Sequence, residues 1–431
     1  MQVVIVCGGK GRRLKKIYTS TPKALIKFKQ KPNIQYQIYQ LKKNGINDFL
    51  FLTNHLDKKI TNFLKKTNIK NCKVLSDKYS FGTAGSLIGS KKYLKKEFIV
   101  LYSDIFIEFD FKNFIKFSQR KNSGCTLVVQ ANSHPYDSDT VEYDRNNMIN
   151  KITFKKSRAN KINNAAASIF YFKKKVLKNI FFKKNSTKDI VKDILPHFIK
   201  KKQLYAYKTI EYLNDFGTQD RFNDVKYSLK KGNMKNLIFK NKKTAVFLGR
   251  DGIINKKLDK GVKNIKEFII LPKIGQAIAK LNLNNIPCFI VSNQSVLAKK
   301  QITLEHFKEI IIYLDKYLSN HKAYIDDFLF CANYRNIKYN DRKSSFFSKF
   351  RKPNPGMILC LAKKYNINLR KSYLIGDNDT DILAGKLANL KTILVESIKT
   401  KNYGLSIKPD FNVKNLYQAV NLVLRHRIWK N

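Results

Sequence analysis

No run of eighteen apolar residues occurs in this chain of 431, so nothing in it reads as a membrane-spanning helix. The six cysteines (Cys7, Cys72, Cys125, Cys288, Cys331 and Cys360) include no CxxC pair. That spacing suggests neither a disulfide framework nor a complete zinc site, and it predicts reduced, mostly buried thiols. The opening residues, MQVVIVCGG, lack the basic, apolar and small-residue segments of a signal peptide, which predicts a cytoplasmic protein. Acidic residues are scarce, 31 against 85 Lys and Arg, for a formal charge of +54. A nucleic-acid binder would carry such an excess. No nucleic-acid module is present, however, and the lysines (KKYLKK, FKKK, FFKK) are spread along the chain rather than gathered in one stripe. The reading favoured is a basic background composition with no specific nucleic-acid partner. Its positive field still draws in anionic substrates such as sugar phosphates and nucleotides.

A chain of this length is too long for one ordinary core and suits two domains. From residue 1 to about 225, apolar runs read as strands: VVIVC, DFLFLT, CKVLSD and FIVLYSD. Amphipathic stretches such as NIQYQIYQLKKNG lie between them. That alternation predicts a largely parallel α/β sheet. Residues 226–243, KYSLKKGNMKNLIFKNKK, are basic with one glycine and suggest a connector. A second alternation then begins over 244–431, with TAVFLG, PCFIVSN, DDFLFCAN, SYLIGD and KTILVE. The two halves open on different loops, so they read as unlike domains rather than a repeat.

The first strand ends in Cys7-Gly8-Gly9-Lys10-Gly11-Arg12-Arg13-Leu14. Glycines there let backbone N–H groups close on phosphate oxygens, and Arg13 adds charge. Pro22-Lys23-Ala24-Leu25 follows. A glycine loop alone is a weak signal. Loop and lysine together resemble the sugar-1-phosphate nucleotidyltransferases, whose signature is GGxGTRL followed by PKPL. The resemblance continues in order through FGTAGSL (81–87), VLYSDIFIEFD (100–110) and LNDFGTQDRF (213–222).

It implies nucleotide contacts from Gly8, Gly9, Gly11, Gly82 and Thr83. Arg13 would hold the triphosphate, and Lys23 the phosphates near the reacting centre. Asp104 and Asp215 would hold Mg²⁺, and Glu142 and Asn164 are the candidates for the sugar. Read singly, either aspartate is as well explained as a solvated strand-end residue. Arg12 stands for the family's threonine, Cys7 for its alanine and Ala24 for its proline, which leaves the base preference open.

Residues 244–396 resemble the haloacid-dehalogenase-like phosphatases, in particular the branch acting on heptose 1,7-bisphosphate. That branch opens on DRDG-x-IN. Here the text is Gly249-Arg250-Asp251-Gly252-Ile253-Ile254-Asn255. VSNQS (291–295), FRKPNPGM (350–357) and IGDNDTDILAG (375–385) match the later motifs. The resemblance implies phosphate contacts from Ser292, Asn293 and Lys352, a Mg²⁺ ligand in Asp377 and a supporting carboxylate in Asp381. Asp251 would be the acid–base residue.

The attacking aspartate belongs at 249, where glycine has no side chain. The covalent route is therefore closed, and turnover should fall by orders of magnitude. A Gly249→Asp chain is expected to regain phosphatase turnover. The branch's zinc loop is eroded as well: Cys331 remains, but Asn333, Ser348 and Phe350 stand at the other ligand positions. Val296 replaces a glycine and should crowd the loop after NQS.

The expected fold is α/β throughout: a Rossmann-like nucleotidyltransferase domain, then a haloacid-dehalogenase-like Rossmannoid domain. The expected function joins a nucleoside triphosphate, GTP first, to a sugar 1-phosphate. The neighbouring phosphatase scaffold suggests D-glycero-D-manno-heptose 1-phosphate as that sugar, with glucose or mannose 1-phosphate as the alternative. Phosphatase action by the second half is the rival reading.

Overall fold

The computed structural model describes residues 1–8, 13, 20–54, 56–67, 69–76, 81–155, 157, 160–182, 186–332, 349–396 and 407–428. The chain folds as two compact units. One comprises Met1–Gln130, Tyr136–Ser157 and Asn164–Phe239; the other comprises Ala131–Pro135, Arg158–Asn163 and Lys240–Asn431. No helix among the described residues is long and apolar enough to cross a membrane.

In the first unit the strand Gln2–Val6 lies between Asp48–Thr53 and Glu97–Tyr102, parallel to both, and Cys72–Ser76 extends that side. These are the four strands read from the apolar runs. Val3, Val4 and Ile5 are fully buried, as a strand covered on both faces requires. Burying each such side chain contributes roughly 2 kcal/mol. On the other side of Glu97–Tyr102 the sheet turns antiparallel, through Ala165–Lys173 and then Cys125–Gln130.

The helix Asn33–Lys43 buries Asn33, Ile34, Gln37, Ile38, Gln40 and Leu41, the spacing of one helical face. A separate two-stranded ribbon pairs Ile105–Glu108 with Tyr212–Asp215 antiparallel, and Asp215 lies opposite Ile105. Residues 226–243 are structured for the most part. The helix Gln219–Lys231 and the short turn Met234–Leu237 bury Val225, Met234 and Leu237 with Phe28, Phe106 and Phe216. The lysines of this stretch conceal an apolar face.

The second unit has a six-stranded parallel sheet in the order Asp327–Cys331, Cys288–Asn293, Val246–Leu248, Tyr373–Gly376, Lys391–Val395, Phe411–Val413. Val246–Leu248, first in sequence, is central, so the winding reverses on either side of it. Ligands of such sheets bind beyond the carboxyl ends of the strands at that reversal. Gly249, Ser292, Asn293 and Asp377 all fall at those ends.

Candidate functional site

The first site is built from strand ends. Asp104 follows Glu97–Tyr102 and precedes the ribbon strand Ile105–Glu108. Ribbon pairing sets Asp215 opposite the next residue, and the Phe216 N–H donates to the Asp104 carbonyl at 3.2 Å. Two aspartates far apart in sequence are therefore brought to neighbouring backbone because two short apolar strands pair. Lys23 Nζ donates to Asp104 Oδ2 at 2.8 Å. Arg221 Nη1 donates to both oxygens of Asp215, at 2.6 and 2.8 Å, and the Gly217 N–H donates to Oδ1 at 3.1 Å.

Arg221 also pairs with Asp137, which accepts from Arg13 Nη1 at 2.8 Å. A Cβ at Gly217 would lie 3.0 Å from Asp215 Oδ1 and 3.1 Å from Arg13 Nη2, so the glycine allows this close approach. Burial alone would raise the Asp137 carboxyl, but Arg221 and Arg13 hold it below its ordinary value. Burial likewise works against the Arg221 guanidinium, yet Asp215 and Asp137 raise it and keep it charged.

Asn33 and Gln37 brace the loop around Asp104. Asn33 Nδ2 donates to the carbonyls of Ser103 and Ile105, and Gln37 Nε2 to those of Tyr102 and Ile105, at 2.8–3.0 Å. Both amides are fully buried. Sequence reasoning missed these two, along with Asp137 and Arg221. For Arg221 a signal existed: Thr218 caps the helix Gln219–Lys231, and the third residue of a helix lies back over its cap. For Asn33 and Gln37 the signal was two amides on the apolar face of a helix.

The other predicted positions divide. Gly8 follows the first strand, and a Cβ there would meet Asn54 Cβ at 3.2 Å. Gly9 and Gly11, with Arg12 and Leu14, lie outside the described residues. Gly82 has φ +74°, and a Cβ on it would fall 2.3 Å from the Lys188 carbonyl. Thr83 Oγ1 donates to Asp189 at 3.3 Å and accepts from the Ile190 N–H at 3.0 Å. These two residues anchor one loop against another. Glu142 pairs with Lys151 at 3.0 Å, and Asn164 Oδ1 accepts from Lys208 at 2.5 Å. The Val141 N–H donates to the Asn164 carbonyl, which puts both sugar candidates on joined backbone.

Among the described residues no group of three or more His, Cys, Asp or Glu is placed to hold a metal. Magnesium usually needs only one or two carboxylates, with substrate phosphates completing its shell. Asp104 and Asp215, 32% and 30% exposed and side by side, fit that requirement.

The second site brings six predicted residues together. Lys352 Nζ donates to the Val291 carbonyl at 2.8 Å and pairs with Asp381. Asn293 fixes the lysine's backbone, accepting from its N–H and donating to its carbonyl, both at 3.0 Å. Ser292 Oγ accepts from Gln294 Nε2 at 2.7 Å. The same amide reaches Asp251 Oδ2 at 3.3 Å. Asp251 Oδ1 accepts from Arg250 Nη2 at 2.7 Å and Asn255 Nδ2 at 3.0 Å.

Burial opposes ionisation of Asp251, but Arg250, Asn255 and Gln294 hold its carboxyl below the usual value. An acid catalyst needs the opposite shift. Asp377 is pushed up, by burial first and then by Asp381, and Lys257 opposes the rise. Its Oδ2 accepts from Lys257 Nζ at 2.6 Å and its Oδ1 from Asn378 Nδ2 at 2.9 Å. Lys257 was not foreseen; in the run NKKLDK it looks like any other lysine.

Gly249 ends its strand, and its N–H donates to the Ile375 carbonyl at 2.9 Å. A Cβ built there would meet Ile253 Cγ1 at 3.2 Å and Asp381 Oδ2 at 3.7 Å, so a side chain has room with a small shift. The crowding expected from Val296 is taken up by Gly261, whose absent Cβ would lie 2.6 Å from Val296 Cγ1. Cys331 is buried at the end of its strand, and Asn333 and Ser348 lie outside the described residues.

Residues 2–232 match the family described as nucleotidyl transferase, and residues 349–419 match the HAD-hydrolase-like family. The mannose-1-phosphate guanyltransferase of Debaryomyces hansenii is 28% identical over 52% of this chain and 62% of its own length. The chain thus spans about 60% of the curated guanyltransferases it matches. The D-glycero-D-manno-heptose-1,7-bisphosphate 7-phosphatase of Chlorobaculum tepidum is 30% identical over 41% of this chain and 91% of its own length. Among solved structures, HddC from Yersinia pseudotuberculosis aligns with 53% of this chain and 99% of that one, at 22% identity and a TM-score of 0.46. The chain belongs to the nucleotidyl transferase family, and its second half to the family of the heptose-bisphosphate phosphatases.

Proposed function

We propose that the first unit transfers a nucleotidyl group from GTP to a sugar 1-phosphate, D-glycero-D-manno-heptose 1-phosphate by preference. A phosphate oxygen of the sugar attacks the α-phosphorus, the bond from that phosphorus to the bridging oxygen breaks, and pyrophosphate leaves with the bond's electrons. The observation that carries this reading is Asp104 and Asp215 meeting at paired strand ends beside Lys23, Arg221 and Arg13. Reactants crowded with negative charge need placement and cations more than a base.

Asp104 and Asp215 would hold a magnesium ion, which supplies charge neutralisation across the phosphates when bound. Lys23 and Arg13 bind phosphate oxygens, and Arg221 holds Asp215 in place. Asn33 and Gln37 fix the loop that presents Asp104. Glu142 and Asn164 are the proposed sugar contacts, and Gly8, Gly9, Gly11, Gly82 and Thr83 form the nucleotide loops.

Guanine is favoured by the guanyltransferase relatives, and heptose by the phosphatase scaffold fused to this unit, whose relatives act one step earlier on such a sugar. Glucose or mannose 1-phosphate is the second reading, supported by the mannose-1-phosphate relatives. Surface polysaccharide is the proposed destination and the cytoplasm the proposed place. The phosphatase reading is disfavoured by Gly249, which offers no side chain to attack phosphorus.

The test is pyrophosphate release with five nucleoside triphosphates against heptose, mannose and glucose 1-phosphates. Release with GTP and the heptose exceeding every other pair supports the assignment. Preference for another pair replaces the substrates, and silence across the panel removes the proposal.

A further inference from the structure

We propose that the Lys257 ammonium stands where this fold would hold a divalent cation, making the second unit a metal-independent receptor for a phosphate monoester. The inference is independent of the transferase reading. It starts from the donor set. With glycine at 249, one of the expected magnesium ligands has no oxygen at all. Asp251 turns both oxygens to Arg250, Asn255 and Gln294. Asp377 and Asp381 remain: the oxygens of Asp377 accept from Lys257 at 2.6 Å and Asn378 at 2.9 Å, and those of Asp381 from Lys352 and the Asp377 N–H. This set does not fit magnesium, which requires oxygen ligands in near-octahedral array.

Charge agrees with that conclusion. The site's carboxylates and cations pair one to one: Asp251 with Arg250, Asp377 with Lys257, and Asp381 with Lys352. Restoring an aspartate at 249 and removing Lys257 would leave a net charge of two minus, which a dication would cancel. The present pairing reaches neutrality without one, so an arriving phosphate meets the same net charge in either case.

Asp104, Asp215 and Asp137 also balance three cations in the first unit, so charge alone does not decide; access does. The Asp104, Asp215 and Asp251 side chains are 32%, 30% and 26% exposed, whereas Asp377, the carboxylate paired with Lys257, is 2% exposed beneath a lysine that is itself 19% exposed. Gly252, at φ +79°, closes another side, since a Cβ there would lie 2.4 Å from Asp377 Oδ2. Meanwhile Arg250 Nη1 is buried with no partner among the described residues. Its guanidinium lies against the rings of Phe268 and Phe307, so the donors offered to phosphate oxygens are Ser292 and the ammonium groups of Lys257 and Lys352.

The test uses the full chain and inorganic phosphate, titrated by calorimetry once in EDTA and once in magnesium, without nucleotide. The affinities should agree within about twofold, and Lys257→Met should weaken binding in EDTA by about tenfold or more. Lys257→Arg, which keeps the charge, should stay within about threefold of the parent and shows that the site itself is intact. Phosphate binding about tenfold tighter in magnesium, an unchanged Lys257→Met, or no binding at all overturns the proposal. A second measurement counts Mn²⁺ by electron paramagnetic resonance. A chain carrying both Gly249→Asp and Lys257→Met should hold one more ion than the parent, and Gly249→Asp alone none. An extra ion in the single variant would show that Lys257 does not hold the cation's place.

Discussion

The two units solve a similar problem at the ends of similar sheets. Each sets an aspartate after a parallel strand and pairs it with a lysine: Asp104 with Lys23 in the first, Asp377 with Lys257 in the second. In the first, a second carboxylate, Asp215, arrives from a paired ribbon and both remain open to solvent. In the second, the partner position is Gly249, and the surviving carboxylate is enclosed. Yet the second sheet is as fully buried as the first, with Val246, Phe247 and Leu248 at 0% exposure. Core burial holds a scaffold whether or not it works, whereas its chemistry hangs on the oxygen atoms of one side chain. A fold of the heptose-bisphosphate phosphatase family thus stands here with glycine at 249.

The largest effect should come from rebuilding the second site. Gly249→Asp with Lys257→Met should raise hydrolysis of heptose 1,7-bisphosphate by about 10³-fold over the parent, and Gly249→Asp alone far less. Orthophosphate release measures both; equal gains would mean that Lys257 is a bystander. Next in size, Asp104→Ala should lower pyrophosphate release by about 10²–10³-fold, while Lys257→Met leaves it unchanged. A loss in both variants would erase the division of labour between the units.

Glu211 sharpens the contrast between paired and unpaired buried carboxylates. Asp381 has Lys352. Glu211, equally buried, is held by the N–H groups of Asp110 and Phe239 and the Thr209 hydroxyl. Burial raises its pKa from 4.5 to about 7 despite those donors. Because the folded value lies above the unfolded one, its stabilising share is full below pH 4.5 and is lost as pH rises through about 7. Glu211→Gln should remove that slope. It should match the parent near pH 4.5 and gain about 3 kcal/mol on it above pH 8, read from denaturant melts. The smallest effect is expected from Asn33→Leu, which frees the Ser103 carbonyl and leaves that of Ile105 to Gln37 alone. It should cost about 2 kcal/mol of stability and about tenfold in kcat with KM little changed.

Much of this was legible in the sequence. The apolar runs mark the central strands because strands buried on both faces admit little else, and motif residues at their carboxyl ends fall where a reversing sheet opens. Asp104 and Asp215 were named from their motifs, although the pairing that joins them rests on two four-residue strands, too short to pair by pattern alone. What stayed hidden acts through three-dimensional neighbours. Lys257 is one lysine among many until Asp377 lies 2.6 Å away. Asp137 shares no motif with the two arginines that it joins. Asn33 and Gln37 read as polar interruptions of an apolar face, when they hold the carbonyls on either side of Asp104. The stretch 226–243 reads as a connector because its lysines outnumber the few apolar residues that bury it.

The central claim, that one unit turns over while the other only binds, is tested most directly in a single vessel. The full chain is given GTP, magnesium and either D-glycero-D-manno-heptose 1-phosphate or its 1,7-bisphosphate, and pyrophosphate and orthophosphate are followed together. The account predicts pyrophosphate from the monophosphate, lost in Asp104→Ala, and no orthophosphate from the bisphosphate. Orthophosphate released from the bisphosphate by the unaltered chain, or pyrophosphate release that survives Asp104→Ala, would contradict it.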